Sequence, residues 1–235
     1  MDYFGAYRYL FTNPRWGMNL LWISVAQLVP ILGPMAVLGY VAEMIDELSK
    51  DRRAPCPDFQ PDRIADYLVR GLWPILASLI LGLAGMLLAG VAILPMLLIQ
   101  FLGLNFRWLD GPLGIALWLL GVTLVLVTTT VITFLTIPVT LAAMKARSIG
   151  PAFQAKYLGS FLSTSWLDLL TVWLFLMVTA FPLMIAGMML FCVGIYPASA
   201  LISVALWLLA SQVYERHLAK GGQPIPKPAI ATEWT

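Results

Sequence analysis

The sequence predicts an all-α polytopic membrane protein, and three observations carry that reading. Of 235 residues 60% are hydrophobic and 11% charged, against about 45–50% and about 25% in soluble domains. Mean hydropathy is +0.87. The apolar residues fall into four runs without Asp, Glu, Lys or Arg, at 16–42, 71–106, 111–144 and 157–214, the last interrupted only by Asp168. This excludes a soluble globular or a disordered chain. The runs are continuous rather than alternating, which excludes an outer-membrane barrel.

The opening residues come first. Tyr3, Phe4, Tyr7 and Phe11 recur at helical spacing, which predicts an interfacial helix over 2–12 ended by Asn13-Pro14. Trp16 joins them as an aromatic anchor. The start lacks the basic residues, short apolar core and small-residue cleavage site of a signal peptide, so it is expected to be retained.

The first run, within 17–45, carries Pro30, Gly33 and Pro34 at its centre. These break a helix. The run is either one kinked span or a re-entrant hairpin of two short helices. Counting cations separates the two. A crossing puts 11 cations on one side and 3 on the other; a hairpin puts 13 on one side and Arg107 alone on the other. The hairpin is preferred, with both termini cytoplasmic.

A polar loop at 46–70 follows, with Lys50-Asp51-Arg52-Arg53 and Pro55, Pro57 and Pro61. The prolines make it extended and stiff. Its end, and residues 149–161 with Phe153, Tyr157 and Phe161, are further candidates for surface helices. Four full spans are expected at 71–102, 111–144, 165–191 and 197–214, the last two joined by a turn at Cys192-Val193-Gly194-Ile195-Tyr196-Pro197. Residues 1–220 are read as one membrane domain, and 221–235 as an extended tail with Pro224, Pro226 and Pro228.

The order of these residues is familiar. Phe11-Thr12-Asn13-Pro14-Arg15-Trp16 is followed by Ile31-Leu32-Gly33-Pro34, Gly39-Tyr40, Pro57-Asp58-Phe59, Tyr67-Leu68 and Gly71-Leu72-Trp73-Pro74. This resembles the bacterial and archaeal membrane family named domain of unknown function 4013, most specifically over residues 3–80. The resemblance implies a compact helical domain in a bacterial cytoplasmic membrane. It supplies no activity, so no catalytic residue is carried over.

Candidate functional residues are few. Thr129, Thr133, Thr136 and Thr140 form one helix stripe beside Pro138. It reads as helix packing, with hydroxyls bonding carbonyls freed by the proline, ahead of a polar path. Ser78, Gly82, Gly85 and Ala89 form a small-residue stripe expected to pack on a neighbouring helix. Gln27 and Gln100 are polar residues inside apolar runs. Met177, Met184 and Met188 share one side of a helix and are expected to fill a core.

Glu43, Asp46 and Asp168 are the ionisable groups nearest membrane depth. Glu43 and Asp46 are expected to face Arg52, Arg53 or water, and Asp168 to sit near a helix N-terminus. Cys56 and Cys192 make no CxxC pair, and His217 is the only histidine. Metal sites and cofactors are therefore not expected. No catalytic motif is recognised, and no basic block suggests nucleic acid. The reading that follows is a non-catalytic membrane subunit or scaffold, with membrane lipids and other subunits or itself as partners. The alternative is a small oligomeric transporter, channel or lipid-handling protein.

Overall fold

The computed structural model describes residues 1–101, 112–190 and 193–226, with side chains at 92, 95–101, 112–114 and 117 outside the description. The described residues are helical: α1 (Tyr3–Arg8), α2 (Trp16–Ala26), α3 (Leu32–Lys50), α4 (Ile64–Phe101), α5 (Pro112–Ala146), α6 (Ala155–Met189) and α7 (Ile195–Ala219). Short 3-10 turns lie at Tyr9–Thr12, Pro61–Arg63 and Gly150–Phe153. Four helices have the length and hydropathy to cross a membrane, over Pro61–Val91, Trp118–Ala146, Ala155–Met189 and Ile195–Ala219. In their most apolar stretches between 11% and 50% of residues are buried. The apolar side chains therefore point mostly outward, as lipid-facing helices require. The chain divides into two units, Met1–Ala77 with Pro138–Thr235, and Ser78–Ile137.

The first unit holds the large buried aromatics, Tyr40, Tyr67, Tyr157 and Phe161. Asp2 caps α1, its Oδ1 accepting from the Gly5 N–H at 2.7 Å. The aromatic stripe of α1 turns onto α6. Tyr3, Phe4 and Tyr7 surround Phe175 at centroid distances of 5.0, 5.5 and 6.1 Å, and the Tyr7 and Thr179 hydroxyls pair at 2.8 Å. Phe4 keeps an exposed edge, and Phe11 packs on Trp16 at 5.0 Å with both exposed.

The break expected at Pro30, Gly33 and Pro34 separates α2 from α3. The two helices fold back on each other, because Asn19 of α2 and Tyr40 of α3 both donate to the carbonyl of Pro57. Ile31 adopts φ 68° and ψ −57°, closing a tight turn in which Leu32 N–H meets the Pro30 carbonyl at 2.8 Å. Most of the hairpin tip's N–H groups are bonded within the turn. The N–H groups of Gln27, Leu28, Val29, Leu32, Gly33 and Met35 all donate locally, while Pro30 and Pro34 have none to satisfy. A Cβ on Gly33 would meet the Ala26 carbonyl at 2.1 Å.

Gly39 and Gly71 bring α3 and α4 into backbone contact. A Cβ would stand 1.9 Å from the Tyr67 carbonyl oxygen at Gly39 and 1.8 Å from that of Met35 at Gly71. Farther along the chain, α6 begins at Ala155 and takes in residues expected as a separate surface helix. Asp168 therefore lies well inside a helix rather than near its N-terminus, which corrects the dipole reading. Met177 and Met188 are 55% and 57% exposed, so this side of α6 faces outward rather than filling a core. Turn residues Val193 and Gly194 precede α7; Cys192 lies outside the described residues.

In the second unit, Gly85 is buried against Ile132, whose Cγ1 a Cβ would meet at 2.9 Å. Ser78, Gly82 and Ala89 are half-buried, and Gly82 has open space around it. Thr133 and Thr136 donate at 2.8 Å to the carbonyls of Thr129 and Ile132. Those carbonyls are not that of Phe134, one turn before Pro138, so the proline does not explain these bonds. Thr129 and Thr133 are exposed and Thr136 half-buried. Thr140 belongs to the first unit, where its hydroxyl is buried without a partner.

Candidate functional site

The polar side chains of the first unit converge on two extended segments and two carboxylates. The first segment is 55–60, in the polar loop. Asn13 donates from Nδ2 to the Cys56 carbonyl at 2.6 Å and to Asp58 Oδ1 at 2.8 Å. Its own Oδ1 accepts from Arg15 N–H at 2.6 Å. Thr12 Oγ1 accepts from Cys56 N–H at 3.0 Å. Asn19 accepts from Phe59 N–H at 2.9 Å and donates to the Pro57 carbonyl at 3.2 Å. Tyr40 donates to that same carbonyl at 2.6 Å, and Gln60 N–H donates to the Tyr67 hydroxyl at 3.3 Å.

A loop backbone that leaves water needs such partners, and here side chains of the helices and of the bend before α2 supply them. Cys56 and Phe59 are buried, with Phe59 edge-to-face with Tyr40 at 5.1 Å and tilted against Tyr67 at 5.0 Å. Burial pushes the Cys56 thiol up to about 11 and lifts the Tyr9 phenol above its ordinary range. Asn13 and Asn19 were not singled out as site residues. The signal was there in part, because Asn13-Pro14 and Pro57-Asp58-Phe59 belong to the motif series that the clamp brings together.

The second segment is 221–226. Gly221 has φ +79° and turns the chain back along α7. Gly222 N–H donates to the His217 carbonyl at 2.9 Å. Gln223 N–H donates to Ser160 Oγ at 3.2 Å, and Ile225 N–H to the Tyr214 hydroxyl at 3.0 Å. The Gln223 carbonyl meets His217 Nε2 at 3.1 Å. His217 is fully buried, ringed by Phe161, Tyr214 and Tyr157 at 4.9, 6.4 and 6.5 Å.

The expected ionisable residues are placed differently from their sequence-based assignments. Glu43 faces Arg63 at 2.9 Å and Arg70 at 3.7 Å, not Arg52 or Arg53. Asp46 pairs with Arg147 at 3.6 Å. Asp168 lies between Arg216 at 3.4 Å and Lys220 at 2.7 Å. Glu43 and Asp168 are each 14% exposed and each clasped by two cations. A carboxylate so held pins helices together, α3 to α4 and α6 to α7.

Gln27, at the hairpin tip, accepts from the Ser199 hydroxyl of α7. Gln100 lies among residues whose side chains are not described. A cleft of about 560 Å³ opens between α1, the end of α3 and α7, lined by Asp2, Ala6, Arg52, Leu208, Gln212 and Glu215. Arg52 and Glu215 bridge there at 3.0 Å.

Four long helices with outward apolar faces define a polytopic helical membrane protein. The family model described as "Protein of unknown function (DUF4013)" matches residues 22–211, and the chain belongs to that family. No curated protein and no solved structure matches the chain.

Proposed function

We propose that the chain is a non-catalytic integral membrane subunit or scaffold, set in a bacterial cytoplasmic membrane with both termini on the cytoplasmic side. One observation carries the reading. Asn13, Asn19 and Tyr40 hold the backbone of the loop at 55–60, which supports a fixed polar platform for a partner to rest on.

The hairpin is re-entrant in this reading. Eleven residues of α2 reach about 16 Å, against a hydrocarbon core of about 30 Å. Its arms meet the same loop, and most of the N–H groups at its tip are bonded locally, which lowers the cost of placing the turn in hydrocarbon. The outer face of Met18, Leu21, Val25, Leu28 and Ile31 is exposed and suits acyl chains.

Native purification in mild detergent, with mass spectrometry of proteins and lipids, tests the role. A stoichiometric protein partner is the expected result. A lone homo-oligomer retaining a lipid or small molecule overturns it in favour of the transport or lipid-handling reading. Topology has its own test. Cysteines introduced at Arg15 and Ser49 are expected to react with an impermeant maleimide from the same side; labelling from opposite sides makes the hairpin a span.

A further inference from the structure

We propose that residues 221–226 form a releasable latch over α6 and α7, with His217 as its bolt. Closed, the latch seals the chain's only histidine in an aromatic box; open, it bares that box and the hydroxyls of Ser160 and Tyr214.

Four features carry this. The hydrogen bonds that hold the latch all use its main chain, at Gly222, Gln223 and Ile225, and Ile225 and Pro226 are no more than half-buried. Gln223 and Pro224 are exposed, so their side chains do not anchor it. Segments with few buried contacts open at low free energy, independently of the global fold.

The hinge is two glycines. Gly221 takes a positive φ with open space where a Cβ would point, a conformation other residues resist. Gly222 lies flat on the imidazole, and a Cβ there would meet His217 Cε1 at 2.1 Å. The prolines at 224 and 226 prevent the segment from joining α7 as further helix.

The bolt has a defined polarity. A carbonyl only accepts, so His217 Nε2 carries the hydrogen that the Gln223 oxygen receives. Nδ1 lies 3.5 Å from Ser165 Oγ. His217 thus holds the latch by one donated hydrogen bond and by the flat surface it offers to Gly222. Neither requires a particular side chain on the latch.

The test is the mobility of a nitroxide on Pro224→Cys, with Cys56→Ser and Cys192→Ser, in the full chain in lipid nanodiscs. The expected spectrum is immobilised, and either Gly222→Ala or His217→Ala shortens the correlation time several-fold with helical circular dichroism unchanged. Gly222→Ala acts from the latch side and leaves the buried box intact, so it decides the matter if His217→Ala fails to fold. A spectrum already mobile in the parent, or one unmoved by Gly222→Ala, overturns the latch.

Discussion

Residues 55–60 and residues 221–226 are held by the same device, yet the two segments differ in permanence. Both are extended and carry prolines, and both have their backbone groups gripped by side chains of neighbouring helices. In the first, the loop also buries its own side chains. Cys56 and Phe59 are 2% and 5% exposed, and Asn19 closes on the loop from both its oxygen and its nitrogen. In the second, Gln223 and Pro224 are exposed, Ile225 and Pro226 are half-buried, and the hydrogen bonds engage the main chain. Hydrogen bonds specify where a segment lies, while buried apolar area decides how firmly it stays, since the net worth of one such bond is about 1 kcal/mol.

The sharpest way to break this comparison is to attack the base on which the first segment rests. Gly39→Ala drives a Cβ into the Tyr67 carbonyl, and backbone cannot swing aside as a side chain can. A loss of about 3 kcal/mol is expected, read as a large fall in the unfolding midpoint in detergent. Asn19→Ala comes next. It strands the Phe59 N–H and removes one donor to Pro57, for a loss of about 2 kcal/mol in the same measurement. If Asn19→Ala is neutral, the loop is held by Phe59 and its aromatic neighbours alone.

A chemical probe sharpens the contrast without altering the fold. The Cys56 thiol, with its pKa pushed up by burial to about 11, stays protonated at pH 8, where an ordinary thiol near 8.5 is partly ionised. In a Cys192→Ser background, alkylation is expected to be slow at pH 8 and to accelerate only toward pH 11. The linkage has the same sign. The raised value contributes stability below the ordinary thiol pKa, and that contribution drains as pH climbs to about 11. Rapid alkylation at pH 8 would show that the loop opens. The smallest effect belongs to the second segment. Ser160→Ala removes one acceptor from the exposed strap, and the global unfolding midpoint is expected to move by less than about 0.5 kcal/mol equivalent.

Much of the architecture was legible in the residues. Uncharged runs marked the spanning helices, because a hydrocarbon environment forbids charge along about 20 residues. Pro30, Gly33 and Pro34 marked the hairpin break, because backbone sterics act locally. What stayed hidden depended on distant partners. Glu43 carries no local sign that it faces Arg63 and Arg70 rather than the nearer Arg52 and Arg53. Asp168 read as a helix start because the apolar run begins close to it. The amphipathic turns from Ala155 extend the same helix, and its charge answers Arg216 and Lys220 instead. Asn13 and Asn19 looked like turn and span residues. Their donors and acceptors acquire meaning only once the loop at 55–60 is laid across them.

The contacts of the hairpin with α7 also have a meaning in time. Gln27 meets Ser199 and Arg52 meets Glu215, so the end of α2 and the residues after α3 rest on a helix synthesised well after them. Sixteen residues of α7 separate those two contacts, about 24 Å of helix. Until α7 is synthesised, the hairpin settles on α4 and the loop at 55–60. Such pairings across the whole chain are slow to form. This part of the hairpin's docking therefore waits for α7, and a ribosome stalled before α7 would leave Gln27 and Arg52 without these partners.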